Sequence, residues 1–163
     1  MKQLNVGCGD WPRPGWINLD IHDGAGQRWK PDVVADVLEL PFDERTFDRV
    51  YLGHVLEHIE LDHLGSAMSE VFRVLKRNGR VVVVGPDVEK VARLEPAVMS
   101  DSLHGGQRWP GDEHLWDSTA TRTVRYLEKA GFHTEEISMK EVSDLGFPLV
   151  SEVAWQFALV VSE

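Results

Sequence analysis

The stretch Leu4-Asn-Val-Gly-Cys-Gly9 decides the fold of this chain. A short apolar strand, Leu4–Val6, leads directly into two glycines, Gly7 and Gly9. Glycines at the end of a strand let the backbone approach a ligand closely, because no side chain stands in the way. Two glycines after a strand are common in proteins, so this stretch takes its meaning from the segments that follow.

Short apolar runs alternate with segments of helical period along the rest of the chain, which is typical of βαβ units. The predicted strands are Leu4–Val6, Trp16–Ile21, Val33–Ala35, Phe47–Leu52, Arg80–Val84, Thr134–Ser138 and Val153–Val161. No obvious helix joins the last two, so we expect them to form an antiparallel pair at the sheet edge. The predicted fold is α/β: a seven-stranded mixed sheet with helices on both faces and an antiparallel edge strand, in one domain over residues 1–163.

Three helices are predicted from apolar spacing and from end signals. The clearest runs from Leu64 to Leu75 and stops at Asn78-Gly79. Another begins with Ser118 as its N-cap and ends at Gly131. The third runs from Asp87 to about Leu94, before Pro96. The glycine-rich stretch from Ser100 to Trp116 precedes the helix that begins at Ser118. It contains His104, Trp109 and His114, and its length predicts a loop that covers a substrate.

Acidic residues at two strand ends indicate a nucleoside ligand without phosphates. Asp20 ends the second strand, where a carboxylate can accept hydrogen bonds from both ribose hydroxyls. Asp36 ends the third strand and precedes Val37 and Leu38, so a carboxylate beside aliphatic groups could hold an adenine ring. Pro12 stands where a dinucleotide-binding fingerprint has its third glycine, which argues against NAD. Both carboxylates could instead be a solvated strand end and the start of a turn.

Together these segments resemble class I S-adenosylmethionine-dependent methyltransferases of the type 11 small-molecule branch. Leu4–Gly9 is similar to the first motif of that class, and Ala35–Phe42 and Phe47–Val50 to its third- and fourth-strand motifs. The stretches His54-Val-Leu-Glu-His-Ile59 and Arg73-Val-Leu-Lys-Arg-Asn-Gly79 are similar to two later signatures. The resemblance implies a Rossmann-like fold and S-adenosylmethionine as cofactor.

The resemblance also implies which residues hold the cofactor. The two glycines would face its methionine part, Asp20 its ribose, and Asp36 and Val37 its adenine, with Gly53-His54 beside the sulfonium. The full set of expected cofactor-binding residues is Asn5, Gly7, Cys8, Gly9, Asp20, Ile21, Asp36, Val37, Leu38, Gly53 and His54.

The chain departs from the family pattern in three places. Asn5 stands where the family usually has an acidic residue, and Lys76-Arg-Asn-Gly79 replaces Lys-Pro-Gly-Gly. About ten residues separate Gly9 from Asp20, and two prolines in Asp10–Gly15 prevent a proper helix there, so we predict a fold trimmed at its first crossover. We expect the family's N-terminal lid helices to be absent as well. The stretch Pro14–Asp20 resembles a subgroup of short methyltransferases, some of which are associated with sugar or surface-polymer pathways.

Histidines are the candidate catalytic bases, since their unperturbed pKa lies near neutrality. The candidates are His54, His104 and His114, with Asp87 able to orient a hydroxyl or amine. His58 lies one helical turn from His54, and we expect a structural role for it. This His-x₃-His pair, with Glu57 or His63, matches some metal-ligand spacings. Because the sequence supplies no convincing third ligand, we expect no metal.

Composition narrows the function further. Seventeen basic and twenty-seven acidic residues leave a net charge of −10, which disfavours nucleic acid as a partner. The single cysteine, Cys8, excludes an intramolecular disulfide. With no signal peptide or apolar run of membrane length, we expect a cytoplasmic protein that does not associate with membranes.

We predict methyl transfer to a small-molecule acceptor, with a sugar-like hydroxyl as the finer guess. The trimmed crossover, the missing lid and Asn5 favour one alternative, a non-catalytic module or partner subunit that only binds the cofactor. A nucleic-acid methyltransferase is a third interpretation. It lacks a basic surface and the Asn/Asp-Pro-Pro-Tyr motif that grips a flipped base. Because the trimmed fold leaves the cofactor largely uncovered, it also suggests a homodimer in which each subunit closes its neighbour's site.

Overall fold

A seven-stranded sheet forms the centre of the computed structural model, which describes residues 1–24, 29–106, 111–147 and 154–163. Its strands are β1 (Gln3–Val6), β2 (Ile17–Asp20), β3 (Val33–Val34), β4 (Phe47–Gly53), β5 (Leu75–Pro86), β6 (His133–Ile137) and β7 (Gln156–Ser162). The strand order is β3-β2-β1-β4-β5-β7-β6. All neighbouring pairs from β3 to β5 are parallel, whereas β7 is antiparallel to both β5 and β6. The predicted mixed sheet is confirmed, with its antiparallel strand one place in from the edge.

The strand order reverses beside β1, whose neighbours are β2 and β4. The loops that follow β1 and β4 therefore leave in different directions along the sheet and open a crevice at the carboxyl ends of the strands. Open α/β sheets bind ligands at this point of reversal.

The helices are α1 (Leu64–Val74), α2 (Val88–Leu94), α3 (Met99–His104), α4 (Ala120–Lys129) and α5 (Met139–Asp144). One face of the sheet packs against α1 and α4, whose buried residues include Met68 and Leu127. The other face is covered by a smaller apolar cluster that includes Val142 of α5, Phe147 and Trp16. Helices on both faces are thus confirmed. None of the helices in the described ranges is both long and apolar enough to cross a membrane.

Two predicted helix ends are wrong. The helix α1 ends at Val74, and Asn78-Gly79 lie within β5, because Leu75 already pairs with Phe47 of the sheet. Thr119, not Ser118, caps α4: its side chain accepts from Arg122 N at 3.0 Å, whereas the buried Ser118 hydroxyl donates to Pro86 O.

Three further corrections concern the end of the chain and the predicted covering loop. The helix α5 separates the last two strands, where none was expected. Strand β7 begins at Gln156, so Trp155 is a half-buried turn residue, and the expected first strand residue, Val153, lies outside the described residues. Within the predicted loop from Ser100 to Trp116, residues up to His104 belong to α3, and Trp109 lies outside the described residues.

The crossover from β1 to β2 contains no helix, as predicted from its two prolines. Asparagine side chains hold this segment in place instead. The Asn5 amide donates to Asn18 Oδ1 at 3.0 Å and to Trp11 O at 3.3 Å. Asn18 in turn accepts from Arg13 N and donates to Arg13 O, Trp16 O and Asp32 Oδ2. Because a carboxylate cannot donate, this network explains an asparagine at position 5.

Candidate functional site

A cleft of about 550 Å³ opens at the carboxyl ends of β1, β2 and β4. Ligand pockets typically have this size. All eleven residues expected to bind the cofactor line it: Asn5, Gly7, Cys8, Gly9, Asp20, Ile21, Asp36, Val37, Leu38, Gly53 and His54. The cleft also contains His58 and His114. The sequence pattern therefore located one continuous surface, although its residues come from four separate strand ends.

The two glycines after β1 both adopt left-handed backbone conformations, with φ of 62° at Gly7 and 47° at Gly9. A Cβ atom added to Gly7 would lie 2.5 Å from a methyl group of Val55. A Cβ atom at Gly9 would meet nothing within 4 Å. Gly7 is thus required by packing, whereas Gly9 leaves open space in which a ligand can approach the backbone.

Backbone donors from two loops hold the Asp20 carboxylate. Oδ2 accepts from Gly9 N at 2.8 Å, and Oδ1 accepts from His22 N at 3.0 Å. Each carboxylate oxygen keeps a second lone pair after these bonds. Asp20 therefore couples the glycine loop to the end of β2 and can still accept hydrogen bonds from a ligand.

The segment after β3 forms a turn that starts at Asp36. Its Oδ1 accepts from Leu38 N at 2.9 Å, and Glu39 N donates to Asp36 O. Asp36 is exposed, Val37 is buried and Leu38 is half-buried along the cleft. The turn interpretation of Asp36 is correct, and the arrangement also leaves aliphatic surface beside a carboxylate.

Arg13 and Tyr51 line the cleft and were missed by the sequence reasoning. Arg13 Nε and Nη2 and the Tyr51 hydroxyl are buried without a hydrogen-bond partner among the described residues. Burial lowers the pKa of Arg13 and raises the pKa of Tyr51 to about 12. Buried donors that lack partners are costly, so these groups are candidates for binding a ligand. Arg13 could be found only from the fold, because it belongs to the segment that replaces a helix.

His54 directly follows β4 and adopts a left-handed conformation, with φ of 57°. Its Nδ1 lies 3.1 Å from Glu57 Oε1, and its Nε2 lies 2.6 Å from Gln156 Nε2. Glu57 is 2% exposed. Burial by itself raises the pKa of Glu57, but contact with His54 and the charges of His54, His58 and His114 together lower it. The Glu57 carboxylate thus stays ionised beside three histidines.

His58 and His114 meet edge to face, with ring centroids 4.9 Å apart. His58 Nδ1 lies 3.0 Å from Glu113 O, and His114 Nδ1 lies 2.9 Å from Ser102 O. Burial is the main cause that lowers the pKa of His114. His58 therefore contacts a histidine from a distant segment of the chain.

Two candidate catalytic residues, Asp87 and His104, lie outside the residues that line the cleft. The buried Asp87 carboxylate caps α2 by accepting from Glu89 N and Lys90 N. His104 is exposed at the last turn of α3. The position of Asp87 at a strand end favoured a catalytic role in the sequence. The same position makes Asp87 the N-cap of the next helix.

Cys8 lies in the glycine loop and is 4% exposed. Its burial, together with the charges of Asp20 and Asp32, raises the pKa of the thiol to about 12. The side chain is therefore a neutral thiol at the wall of the cleft.

A family model described as a methyltransferase domain, of type 11, matches residues 17–83. An uncharacterised protein of Methanocaldococcus jannaschii is 39% identical over 82 residues. The ubiquinone/menaquinone biosynthesis C-methyltransferase of Desulfotalea psychrophila is 41% identical over 59 residues. These matches include 48% and 36% of this chain, which spans 35% and 22% of the length of the two relatives.

The fold is similar to that of a crystal structure of an S-adenosylmethionine-dependent methyltransferase from Archaeoglobus fulgidus. The TM-score is 0.60 at 15% sequence identity, over 99% of this chain and 86% of the other. At this identity the likeness shows the fold alone. Together the comparisons confirm the resemblance predicted from the sequence motifs and the Rossmann-like fold.

Proposed function

We propose that this chain, a class I S-adenosylmethionine-dependent methyltransferase by its fold and its sequence motifs, methylates a hydroxyl group of a small-molecule acceptor. One observation carries the proposal. A single cleft is lined by every expected cofactor-binding residue, His54 among them. The Nδ1 atom of His54 lies 3.1 Å from the buried carboxylate of Glu57. An adenosyl site beside a histidine that can accept a proton is what methyl transfer to a hydroxyl requires.

The residues of the cleft fit the cofactor. Gly9 leaves open space beside the backbone, Asp20 keeps lone pairs for two ribose hydroxyls, and Val37 offers an aliphatic surface to adenine. The Arg13 guanidinium, which lacks partners for two of its nitrogens among the described residues, would bind the carboxylate of the methionine part. S-Adenosylmethionine supplies a methyl group that passes to the acceptor oxygen while the electrons of the broken C–S bond stay on sulfur.

His54 would take the proton that the acceptor hydroxyl loses. Glu57 lies against Nδ1 and favours a hydrogen there, so Nε2 carries the lone pair. In the structure this lone pair faces the Gln156 amide at 2.6 Å, which indicates that Nε2 is the accepting atom. An acceptor hydroxyl would displace Gln156 from this position.

The rim of the cleft supports a polar acceptor that also has apolar faces. Trp11 and Leu115 line the cleft and are more than half exposed. An aromatic ring beside polar groups suits a sugar-like molecule, which can stack on the ring and donate its hydroxyls to histidine.

A ring carbon is the second candidate acceptor atom. The matched segment of the Desulfotalea psychrophila relative belongs to a C-methyltransferase named for ubiquinone and menaquinone biosynthesis. An activated quinol ring needs the same loss of a proton, so His54 could serve either acceptor.

Turnover assays with acceptor panels test the proposal. Formation of S-adenosylhomocysteine is measured with polyols, sugars and reduced quinones, and mass spectrometry locates the methyl group. We expect an O-methylated product and a loss of turnover of roughly 100-fold or more in His54→Asn, since general bases contribute about 10²–10⁴-fold. Asparagine tolerates the left-handed backbone at this position, so the variant isolates the loss of the imidazole.

Three outcomes would change the assignment. A product methylated on carbon would favour the second candidate. Cofactor binding without turnover on any acceptor would favour the non-catalytic binding module. Wild-type turnover in His54→Asn would remove His54 as the base.

The proposal extends to a homodimer in which a neighbouring subunit covers the open cleft. Its exposed rim residues Trp11, Ile21 and Leu115 are apolar and would be buried in such a contact. Sedimentation is expected to show a dimer, and a fully active monomer would contradict it.

A further inference from the structure

Glu57, His58 and His114 bring one potential ligand atom each to within 4.8 Å of one another. In a tetrahedral site with metal–ligand distances of about 2.0–2.2 Å, neighbouring ligand atoms lie roughly 3.3–3.6 Å apart. Small rotations of the three side chains would therefore bring them to coordination distance. Two imidazoles and one carboxylate form a donor set that recurs at catalytic zinc sites and at other divalent transition-metal sites.

The hydrogen bonds of the two rings select the nitrogen that a metal would use. His58 Nδ1 and His114 Nδ1 each lie about 3 Å from a backbone carbonyl oxygen, which can only accept. Both Nδ1 atoms therefore carry hydrogens, and Nε2 of each neutral ring has the free lone pair. Metal-binding histidines typically have this outer partner, which fixes the ring and its tautomer.

The buried carboxylate gives an independent indication of a cation. Glu57 is 2% exposed, and its Oε1 has no partner of good hydrogen-bond geometry among the described residues, although His54 Nδ1 lies 3.1 Å away. The tautomers of His58 and His114 leave a lone pair, rather than a hydrogen, on the Nε2 atom of each ring. The Glu57 carboxylate and the two imidazoles are then all acceptors. Burying a charged carboxylate beside two further acceptors is costly unless a cation lies among them.

The backbone holds the two ligand-bearing segments together before any ion binds. Leu115 N donates to Glu57 O at 2.8 Å. The Trp116 indole donates to Leu56 O and Ile59 O, at 3.2 and 3.1 Å. These bonds place His114 beside the turn that carries Glu57 and His58, and they supply the third ligand that sequence spacing lacked. Preorganised ligands lose little freedom on binding an ion.

We infer that Glu57, His58 and His114 form a binding site for a divalent transition-metal cation of the zinc type. His58 and His114 line the cleft, so the remaining coordination positions would face it and accept an oxygen atom of the acceptor. This role toward the acceptor rests on the proposed function, whereas metal binding itself does not. A cation here would polarise the acceptor hydroxyl and hold it beside His54.

Metal binding is tested with the full chain, freed of metal by a chelator and titrated with Co²⁺ in the absence of cofactor and acceptor. We expect one equivalent to bind with visible d–d absorption of a four- or five-coordinate site, and Zn²⁺ to displace it. Mg²⁺ should compete poorly, because it prefers oxygen ligands.

Variants distinguish this site from other histidines. His58→Ala, His114→Ala and Glu57→Gln should each weaken Co²⁺ binding by more than the roughly 10–100-fold that loss of an outer partner costs. His63→Ala is the matched control, because His63 also lines the cleft but its Nδ1 lies 3.8 Å from Glu60 Oε2. This variant should bind Co²⁺ as the wild type does. Circular dichroism confirms that each variant is folded.

The inference is overturned if the wild type binds none of these cations, if His114→Ala binds Co²⁺ unchanged, or if His63→Ala loses the ion. S-Adenosylmethionine binding is measured in parallel by calorimetry. Cofactor binding without metal binding would refute the metal site alone, and metal binding without cofactor binding would refute the proposed function alone.

Discussion

Two crossovers between parallel strands are built in opposite ways. From β4 to β5 the chain passes through α1, which buries an apolar stripe that includes Leu64, Met68 and Val71. From β1 to β2 it passes through a short segment without a helix, held by hydrogen bonds of Asn5 and Asn18. The crossover from β4 to β5 anchors the core, whereas the crossover from β1 to β2 places Arg13 and Trp11 on the cleft.

The difference suggests a division of roles. An apolar helix contributes mainly to the free energy of folding, because burial of its side chains removes nonpolar surface from water. A polar segment contributes less net stability per contact but leaves donors available for a ligand. Substitutions in α1 should therefore change stability, and substitutions in the short crossover should change ligand binding.

The largest expected effect is that of Met68→Ala in α1. Met68 is fully buried, so its truncation should lower the free energy of unfolding by about 2–5 kcal/mol. Urea denaturation measures the loss. Ser69→Ala, on the exposed side of the same helix, is the control and should stay within about 0.5 kcal/mol. A loss from Met68→Ala no greater than that of the control would contradict the assigned role of this crossover.

Arg13→Ala in the short crossover should act on binding. Loss of a charge-assisted hydrogen bond is worth about 1.5–3 kcal/mol, so affinity for S-adenosylmethionine should fall roughly 10–150-fold. Affinity for methylthioadenosine, which has no carboxylate, should stay unchanged. Calorimetry measures both, with the exposed Arg77→Ala as control. An equal loss for the two ligands would show that Arg13 supports the fold of the loop rather than the carboxylate.

Asn5→Asp gives the smallest expected change and tests the amide network. A carboxylate would face Asn18 Oδ1 and Trp11 O, which are both acceptors, at a cost of about 1–3 kcal/mol. Thermal or urea unfolding measures this cost against Asn78→Asp, an exposed control. Equal stability of the two variants would mean that the family's usual acidic residue is compatible with this crossover.

The sequence predicted the regular parts of the fold well because apolar periodicity and strand-end glycines are local signals. The helix α5 was missed although Ser138 and Glu141 form a capping box, since its six residues are too short for a periodic pattern. Ser118 was chosen over Thr119 because the two neighbouring hydroxyls are equivalent in the sequence and differ only in their backbone geometry.

The candidate site divides in the same way. The positions expected to bind the cofactor follow strand ends, so their placement along one cleft could be predicted. The contact between half-buried His54 and buried Glu57 could be predicted only in part, because a spacing of one helical turn does not reveal burial. His114 joins His58 through contacts between distant segments, and Arg13 enters the cleft only because the first crossover lacks a helix. No local spacing encodes either contact.

Calorimetric binding of S-adenosylmethionine and S-adenosylhomocysteine to the wild type and to Asp20→Ala tests the central claim most directly. Asp20 accepts backbone hydrogen bonds from Gly9 and His22 and would bind the ribose hydroxyls. The account predicts micromolar binding by the wild type and by the exposed control Asp62→Ala, and no measurable binding by a folded Asp20→Ala. Wild-type affinity in Asp20→Ala, or no binding by the wild type, would contradict the assignment of this cleft to the cofactor.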